Sequence, residues 1–510
     1  MARRARKSAT NSASIAAKRY QAYRQLEHPF APQALWSEDR VEAVHASALR
    51  VLKELGIRTL LPEAREIFRK AGARVDEDSM FVWLDEDMVQ AAIDAAPKSY
   101  RMRAPNPARE QQIKLGTMMF QCGAGCPNSM DRVRGRVSGS RESWVDSVKL
   151  QQHFDALHLI GPSVEPQDEP IAVRHYAQSW DQLTLTDKPF FVWSRGTGQV
   201  QDCFEMIQMA HGLDSDAWED GFWATTIVNT NSPRQLDRPM GQGIIDFARA
   251  KQLTIVTPFC LNGAMAPVSV AGAITLQHAE ALFGLTLAQL TRPGAPIMYG
   301  NFSSNVHMKS GAPAFGTPEH MAGTLASGQL ARKIGIPWRG AAGSASNMGD
   351  GQGVGENALG LLAAVNANTT LTVHSAGWLE GGLSFGFEKF IQDMELVQTI
   401  ADLAAHPAPA QDDDIAFHAI ADVQPGGHFF ATQHTMERYD SAHYPPLVAD
   451  LSNYENWSEA GARSSDEKAT AKWQEILRDF TPPPGTAERG ERIAAFIERR
   501  KAEGGSHPMD

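Results

Sequence analysis

Residues 297–374 alternate short apolar runs with longer helical ones: IMY (297–299), EHMAGTLASGQLARK (319–333), RGAA (339–342), ENALGLLAAVN (356–366) and TTLTVH (369–374). The short runs have the length and apolar or β-branched content of buried parallel strands. The longer ones place apolar residues at helical spacing. Outward from this stretch the same alternation continues. Further strands are expected at Thr117–Gln121, His158–Gly161, Phe190–Trp193, Trp223–Val228 and Thr254–Phe259, and helices at Gln201–Ala210, Met240–Ala250 and Ala271–Leu290. About eight β/α units in series predict a (β/α)8 TIM barrel, class α/β. A doubly wound open sheet is the competitor, but no G-x-G-x-x-G follows any of these strands where a helix opens.

The flanks divide the chain further. Residues 1–30 hold several Lys and Arg in their first 26 positions and no acid there, and read as a basic flexible tail. Residues 31–110 are expected to be an N-terminal helical region, since VEAVHASALRVLKEL (41–55) and PEAREIFRKAG (62–72) carry helical periodicity and Leu84–Ala96 reads as a third helix. The barrel then spans 111–405. HPAPAQDDD (406–414) is a linker-like break, and 406–510 is a C-terminal helical region with helices expected at Asp466–Asp479 and Ala487–Ala502.

A formal net charge of −11 argues against a nucleic-acid partner. No apolar run reaches the roughly 18 residues of a membrane span. Four cysteines in 510 residues are too few for a disulfide scaffold, so a reducing cytoplasm is expected. No H-E-x-x-H and no second cysteine pair beside Cys122 and Cys126 supports a metal site, so His428, His434 and their neighbours are read as structural. A G-x-S-x-G elbow is absent, and GDGQGVGE (349–356) lacks the Lys-Ser/Thr of a P-loop.

In a barrel, chemistry sits at the C-terminal ends of the strands. Those positions are Gln121, Trp193, Arg195, Asn229, Asn231, Asn262, Tyr299, Asn301, Phe302, Asn347, His374, Trp378 and Glu380. The set is rich in Asn and aromatics and poor in Lys, which suits a small polar or cationic ligand better than a phosphate-rich one. Trp193, Tyr299, Phe302 and Trp378 are candidate cage rings. Arg195 or an asparagine such as Asn301 is a candidate carboxylate partner, and His374 completes the substrate-binding set. Glu380, between Leu379 and two glycines, is a candidate functional acid, whereas Glu388, Asp393 and Glu395 read as a solvated helix start.

Several blocks resemble the trimethylamine:corrinoid methyltransferase family. They include SPRQLDRPM (232–240), TPEHMAGTLASGQLARKIGIP (317–337), AAGSASNMGDGQGVGE (341–356), SAGWLEGGLSFGFEKFIQDME (375–395) and GGHFFATQHTMERY (426–439). The resemblance implies a (β/α)8 barrel that passes a methyl group from a methylated amine to the Co(I) corrinoid of a separate small protein. It also implies that pyrrolysine stands three residues before the Asp of an Asp-x-Gln signature, here Asp350-Gly351-Gln352. Asn347 occupies that position, and an amide cannot form the covalent amine adduct assigned to pyrrolysine. Members without pyrrolysine resemble quaternary-amine demethylases, with glycine betaine or a similar betaine as substrate. Asn347 is therefore the candidate catalytic position carried by motif, joined by Glu380 from its place at the mouth.

The cobalamin signature Asp-x-His-x-x-Gly is absent from the chain. The corrinoid (cobalamin) is thus expected to arrive on a cognate corrinoid-binding protein and not to be held tightly here. A homo-oligomer is the base expectation. Two alternatives stay open: a non-catalytic methylated-amine-binding or accessory protein on the same barrel, and a trimethylamine-type demethylase.

Overall fold

The computed structural model describes residues 23–510 except Ala124, 406–414, Ser441 and Asp510. Its centre is a curled eight-stranded sheet in a mixed α/β fold. Seven strands run parallel: β1 (Thr117–Phe120), β2 (Phe190–Phe191), β3 (Ala224–Val228), β4 (Leu253–Val256), β5 (Ile297–Gly300), β6 (Trp338–Ala341) and β7 (Leu371–Val373). Neighbours follow chain order from β2 to β7, and β7 then pairs with β1, so the last strand lies beside the first. Helices cover the outer face, among them α1 (Val270–Thr291), α2 (Pro318–Ile334), α3 (Gly351–Asn366) and α4 (Phe387–Ala405). Caps set their boundaries. Ser269, Thr317 and Asp350 each accept a backbone N–H of the first turn, and Gly335 ends α2 in the left-handed region that favours glycine.

The expected strand at His158–Gly161 is not one. His158 N–H donates to Phe120 O (3.0 Å) and Ile160 N–H to Pro189 O (3.2 Å), a single main-chain bond on each side. Two chemical details stop the ladder. Phe120 N–H donates to the His158 imidazole Nδ1 and not to a carbonyl, and Pro189 has no N–H to return.

The eighth strand of the sheet comes from the stretch expected to be a tail. Residues 1–22 lie outside the described residues, but Leu26–Glu27 pairs antiparallel with Met118 and Thr117. Leu26 is buried, and Tyr23 donates its hydroxyl proton to His158 O. An apolar anchor and an edge strand's free backbone groups therefore tie this segment down.

The N-terminal region is also less purely helical than its periodicity suggests. Between the helices Glu38–Arg50, Pro62–Lys70 and Glu86–Ala95 lie the strands Ile57–Thr59, Arg74–Asp76 and Phe81–Trp83, which build a small sheet with Gln235–Leu236. The 406–414 break falls outside the described residues. Beyond it, helices Ser465–Arg478 and Thr486–Ala502 are present, the first packed on α4. Among the described residues no helix is long and apolar enough to cross a membrane.

Side chains alternate across the sheet. Val256, Ile297, Tyr299 and Trp338 pack outward with Ala279, Leu282 and Phe283 of α1. Met119, Ile255, Met298, Leu371 and Val373 point inward and meet Tyr100, Met102 and Ile113 of the hairpin Ser99–Met102/Gln111–Lys114. Tyr100 donates to Ile297 O, at the start of β5. The hairpin thus plugs the N-terminal ends of the strands, which leaves the C-terminal ends for a ligand.

Candidate active site

Three loops at those ends, after β4, β5 and β7, bring one cluster of rings together. Phe302, just past β5, lies 4.5 Å from Phe259 (stacked), 5.8 Å from Phe315, 4.9 Å from His374 and 6.1 Å from Trp378, centroid to centroid. The His374 and Trp378 rings are 3.6 Å apart. Glycines let the backbone approach the indole. A Cβ at Gly343 would sit 2.8 Å from Trp378 Cδ1, and one at Gly382 would sit 2.5 Å from its Cζ2; both also have positive φ (105° and 108°). Phe259 keeps part of its surface accessible, whereas Phe302 and Trp378 are buried.

Under these rings lies Arg339, the inward-facing neighbour of outward-facing Trp338 on β6. Its guanidinium carbon is 4.7 Å from the Phe302 ring centre. Nη1 donates to Asn301 O and Nη2 to His374 Nε2, each at 2.8 Å. It is 1 % exposed and forms no ion pair with a carboxylate among the described residues. Burial lowers its pKa to about 9, which still leaves it cationic at neutral pH. His374 is held well below its ordinary value, by burial first and by the Arg339 charge second. Since an arginine can only donate, His374 Nε2 accepts and the ring proton stands on Nδ1. Three buried donors then have no acceptor: Arg339 Nε, His374 Nδ1 and Trp378 Nε1. Each such group costs about 1–3 kcal/mol unless something satisfies it.

The glycine-rich loop 343–350 is fixed by acids from α3. Glu356 accepts from Ser344 Oγ (2.7 Å), Ala345 N (2.8 Å) and Ser346 N (3.2 Å), and Asp350 accepts from Gln352 N, Gly353 N and Ser346 Oγ. Asn357 accepts Gly343 N–H and donates to Ser375 O, which ties this loop to the one bearing Trp378. From α4, the buried pair Lys389–Asp393 adds a further bond, Gly377 N–H to Asp393 (2.9 Å). Asn347 is left exposed at the rim of this braced loop.

The expected site residues divide. Phe302, His374 and Trp378 come together. Asn301 adjoins them through its carbonyl, while its Oδ1 accepts Ser303 N–H. Tyr299 does not join them. Its ring faces the helix layer, where the hydroxyl bonds His278 Nδ1 (3.0 Å) and donates to Gln277 Oε1 (3.3 Å), because the pleat turns Tyr299 to the face opposite Met298. Trp193 packs edge-on against Trp144 and Phe191.

The expected polar residues have other partners too. Arg195 is paired with Glu165 (2.8 Å), so it is not a free carboxylate ligand. Glu380 is clasped by Arg136 Nε at 2.9 and 3.1 Å and accepts Ser384 Oγ–H; at φ 54° it joins two loops and does not face the rings. Asn231 braces Asp237 at a helix start, Gln121 donates to Ile160 O, Asn262 is buried and Asn229 half-buried. Glu388, Asp393 and Glu395 are not solvated. Glu388 accepts from Trp473 Nε1 and Thr470, Asp393 is fully buried, and Glu395 accepts three successive N–H groups at 447–449.

Arg339, Phe259 and Phe315 are the members that sequence reasoning missed. For Arg339 a signal exists, a lone cation in an apolar strand stretch between Trp338 and Gly340. All four cysteines are buried and free. Among the described residues no group of three His, Cys, Asp or Glu is placed to hold a metal ion.

Comparison with known proteins agrees in kind. The family model "Trimethylamine methyltransferase (MTTB)" matches residues 2–505. A protein named glycine betaine methyltransferase from Desulfitobacterium hafniense (strain Y51) is 31% identical over 474 residues, covering 92% of this chain and 97% of that one. Trimethylamine methyltransferase MttB from D. hafniense (strain DSM 10664 / DCB-2) is 27% identical, covering 92% and 94%. Among solved structures, the Methanosarcina barkeri monomethylamine methyltransferase MtmB aligns with a TM-score of 0.47 and 10% identity, over 96% of this chain and 92% of that one.

Proposed function

Because the chain belongs to the trimethylamine methyltransferase (MTTB) family, we propose that it moves a methyl group from a betaine-type quaternary amine to the Co(I) corrinoid of a separate carrier protein. The observation that carries this reading is the ring cluster of Phe259, Phe302, His374 and Trp378, to which no carboxylate is hydrogen-bonded among the described residues. A quaternary nitrogen already bears its full positive charge and leaves as a neutral tertiary amine. Its departure therefore needs neither a proton nor a covalent adduct. Aromatic faces attract such a cation by ~0.5–2 kcal/mol each.

The work of this chain is to hold the cation, aim one methyl outward and exclude water. The corrinoid, when docked, supplies the nucleophile. Neutral His374 fits that division of labour, since no proton has to move. Asn347, at the exposed rim, cannot form the amine adduct of pyrrolysine-bearing members, which favours a quaternary over a tertiary substrate. The name of the 31% identical relative points the same way. Glu380 acts here as a brace for the loops around Trp378.

Closure of the sheet as a (β/α)8 barrel is supported by residues 158–161, which hydrogen-bond to Phe120 O on one side and to Pro189 O on the other. The partner docks over the C-terminal mouth, and the chain works as a homo-oligomer in a reducing cytoplasm, where four free cysteines are stable. The test is direct. Under anaerobic conditions, adding glycine betaine to the protein and a reduced corrinoid partner should discharge the Co(I) absorbance. No change with glycine betaine, proline betaine or carnitine would overturn the proposal.

A further inference from the structure

We propose that residues 415–454 form an arm by which two copies of this chain pair, the arm of each copy lying on the outer face of α3 of the other. The proposal rests on the homo-oligomer part of the reading above, to which it gives a surface, and it is independent of which amine is demethylated.

The first observation is the arm itself. Of the described residues in 415–454, only Ala419 and Val448 are buried. Nine large apolar side chains stand exposed there, with Phe417, Phe430, Tyr439, Leu451 and Tyr454 exposed by 69–79%. At about 100 Å² each they present roughly 900 Å² of apolar surface. That exceeds the largest patch of an ordinary monomer and is close to one partner's share of a standard interface. The stretch holds no lysine and one arginine, Arg438, which is the composition of an interface core. It is also anchored. Glu395 of α4 accepts three N–H groups at 447–449. The His418 and His434 rings, 6.0 Å apart, set the short helices Phe417–Ala421 and Gln433–Arg438 side by side.

The second observation is α3. Its 16 residues carry one charge, Glu356, which is turned to Ser344 and Ala345 of the glycine-rich loop. Leu359 and Leu362, neighbours on one stripe of the helix, are 41% and 50% exposed. Two apolar surfaces of one chain thus leave each other uncovered. A pair of copies related by a two-fold axis covers both at once, and such an exchange closes at two. A corrinoid carrier fits less well, because it must leave after each transfer and transient contacts are small and polar. Residues 1–22, with six Lys or Arg and one Ile, offer so apolar a surface no match.

Light scattering on the full-length protein tests this. Wild type should contain an even number of chains. Phe430→Glu and, separately, Leu362→Glu should halve that mass, with pairing weakened at least about 30-fold, as for loss of an interface anchor. Both side chains are exposed in one copy, so circular dichroism of the variants should match wild type. Met209→Glu, at an exposed apolar position on the helix Thr197–His211, should leave the mass unchanged. Mixing the first two variants should restore pairing, because one arm and one α3 face stay intact in the mixed pair.

A wild type of one chain, or of an odd number, would overturn the proposal. So would a Phe430→Glu or Leu362→Glu variant that stays paired, or mixed variants that do not pair. Loss of carrier binding by Phe430→Glu at unchanged mass would assign the arm to the corrinoid carrier instead. Failure of the methyl-transfer reading is read in the cobalt absorbance and not in the mass, so the two results stay distinct.

Discussion

Two buried cations sit on either side of the Trp378 loop, and they are treated in opposite ways. Lys389 on α4 is fully buried against Asp393, whose carboxylate also accepts Gly377 N–H. Burial pushes Lys389 down and Asp393 up, and each charge pulls the other back toward ionisation. Arg339 is buried to the same degree, yet its partners are a neutral imidazole and a carbonyl. The first charge is complete within the fold. The second has no carboxylate partner among the described residues, which is what separates a closed strut from a charge left open.

Substitution should separate them. Asp393→Asn strands the Lys389 ammonium and should cost about 3–5 kcal/mol, the penalty for breaking a buried ion pair. Arg339→Met strands two buried acceptors, Asn301 O and His374 Nε2, but also removes a buried charge that has no carboxylate partner, so its net loss should be smaller, about 1–2 kcal/mol. Urea unfolding of both variants measures this difference, and equal losses would erase the distinction. Next in size is Gly343→Ala. The new methyl would press on Trp378 at a φ of 105°, and a loss of about 1–3 kcal/mol is expected together with reduced methyl transfer. Asn347→Ala should be the mildest, with stability within about 0.5 kcal/mol of wild type because the side chain is exposed. Its methyl-transfer rate should nonetheless fall. An unchanged rate would make the loop a scaffold only.

Much of this arrangement was legible in the sequence and some was not, for physical reasons. Alternating strands and helices were readable because periodicity and caps are local; seven of the eight expected strands formed. His158–Gly161 failed through a side chain, since nothing local says that an imidazole will take Phe120 N–H. Tyr299 and Phe302 looked equivalent as strand-end aromatics, but the pleat puts Tyr299 on the helix face and the chain beyond β5 carries Phe302 to the mouth. Arg339 was overlooked because it stands inside a strand, while the site was sought only after strand ends. The acids of α4 resembled a solvated helix start, and only the docking of distant segments, 444–449 and Ser465–Arg478, buried them.

That docking has a mechanical consequence. One face of α4 grips the Trp378 loop through Asp393, and its neighbours Glu388 and Glu395 grip the C-terminal region through Trp473 and the 447–449 backbone. The carboxyl-terminal hundred residues and the indole of the ring cluster therefore hang from the same rod, less than three turns long between Glu388 and Glu395. A tilt imposed at one end is delivered at the other.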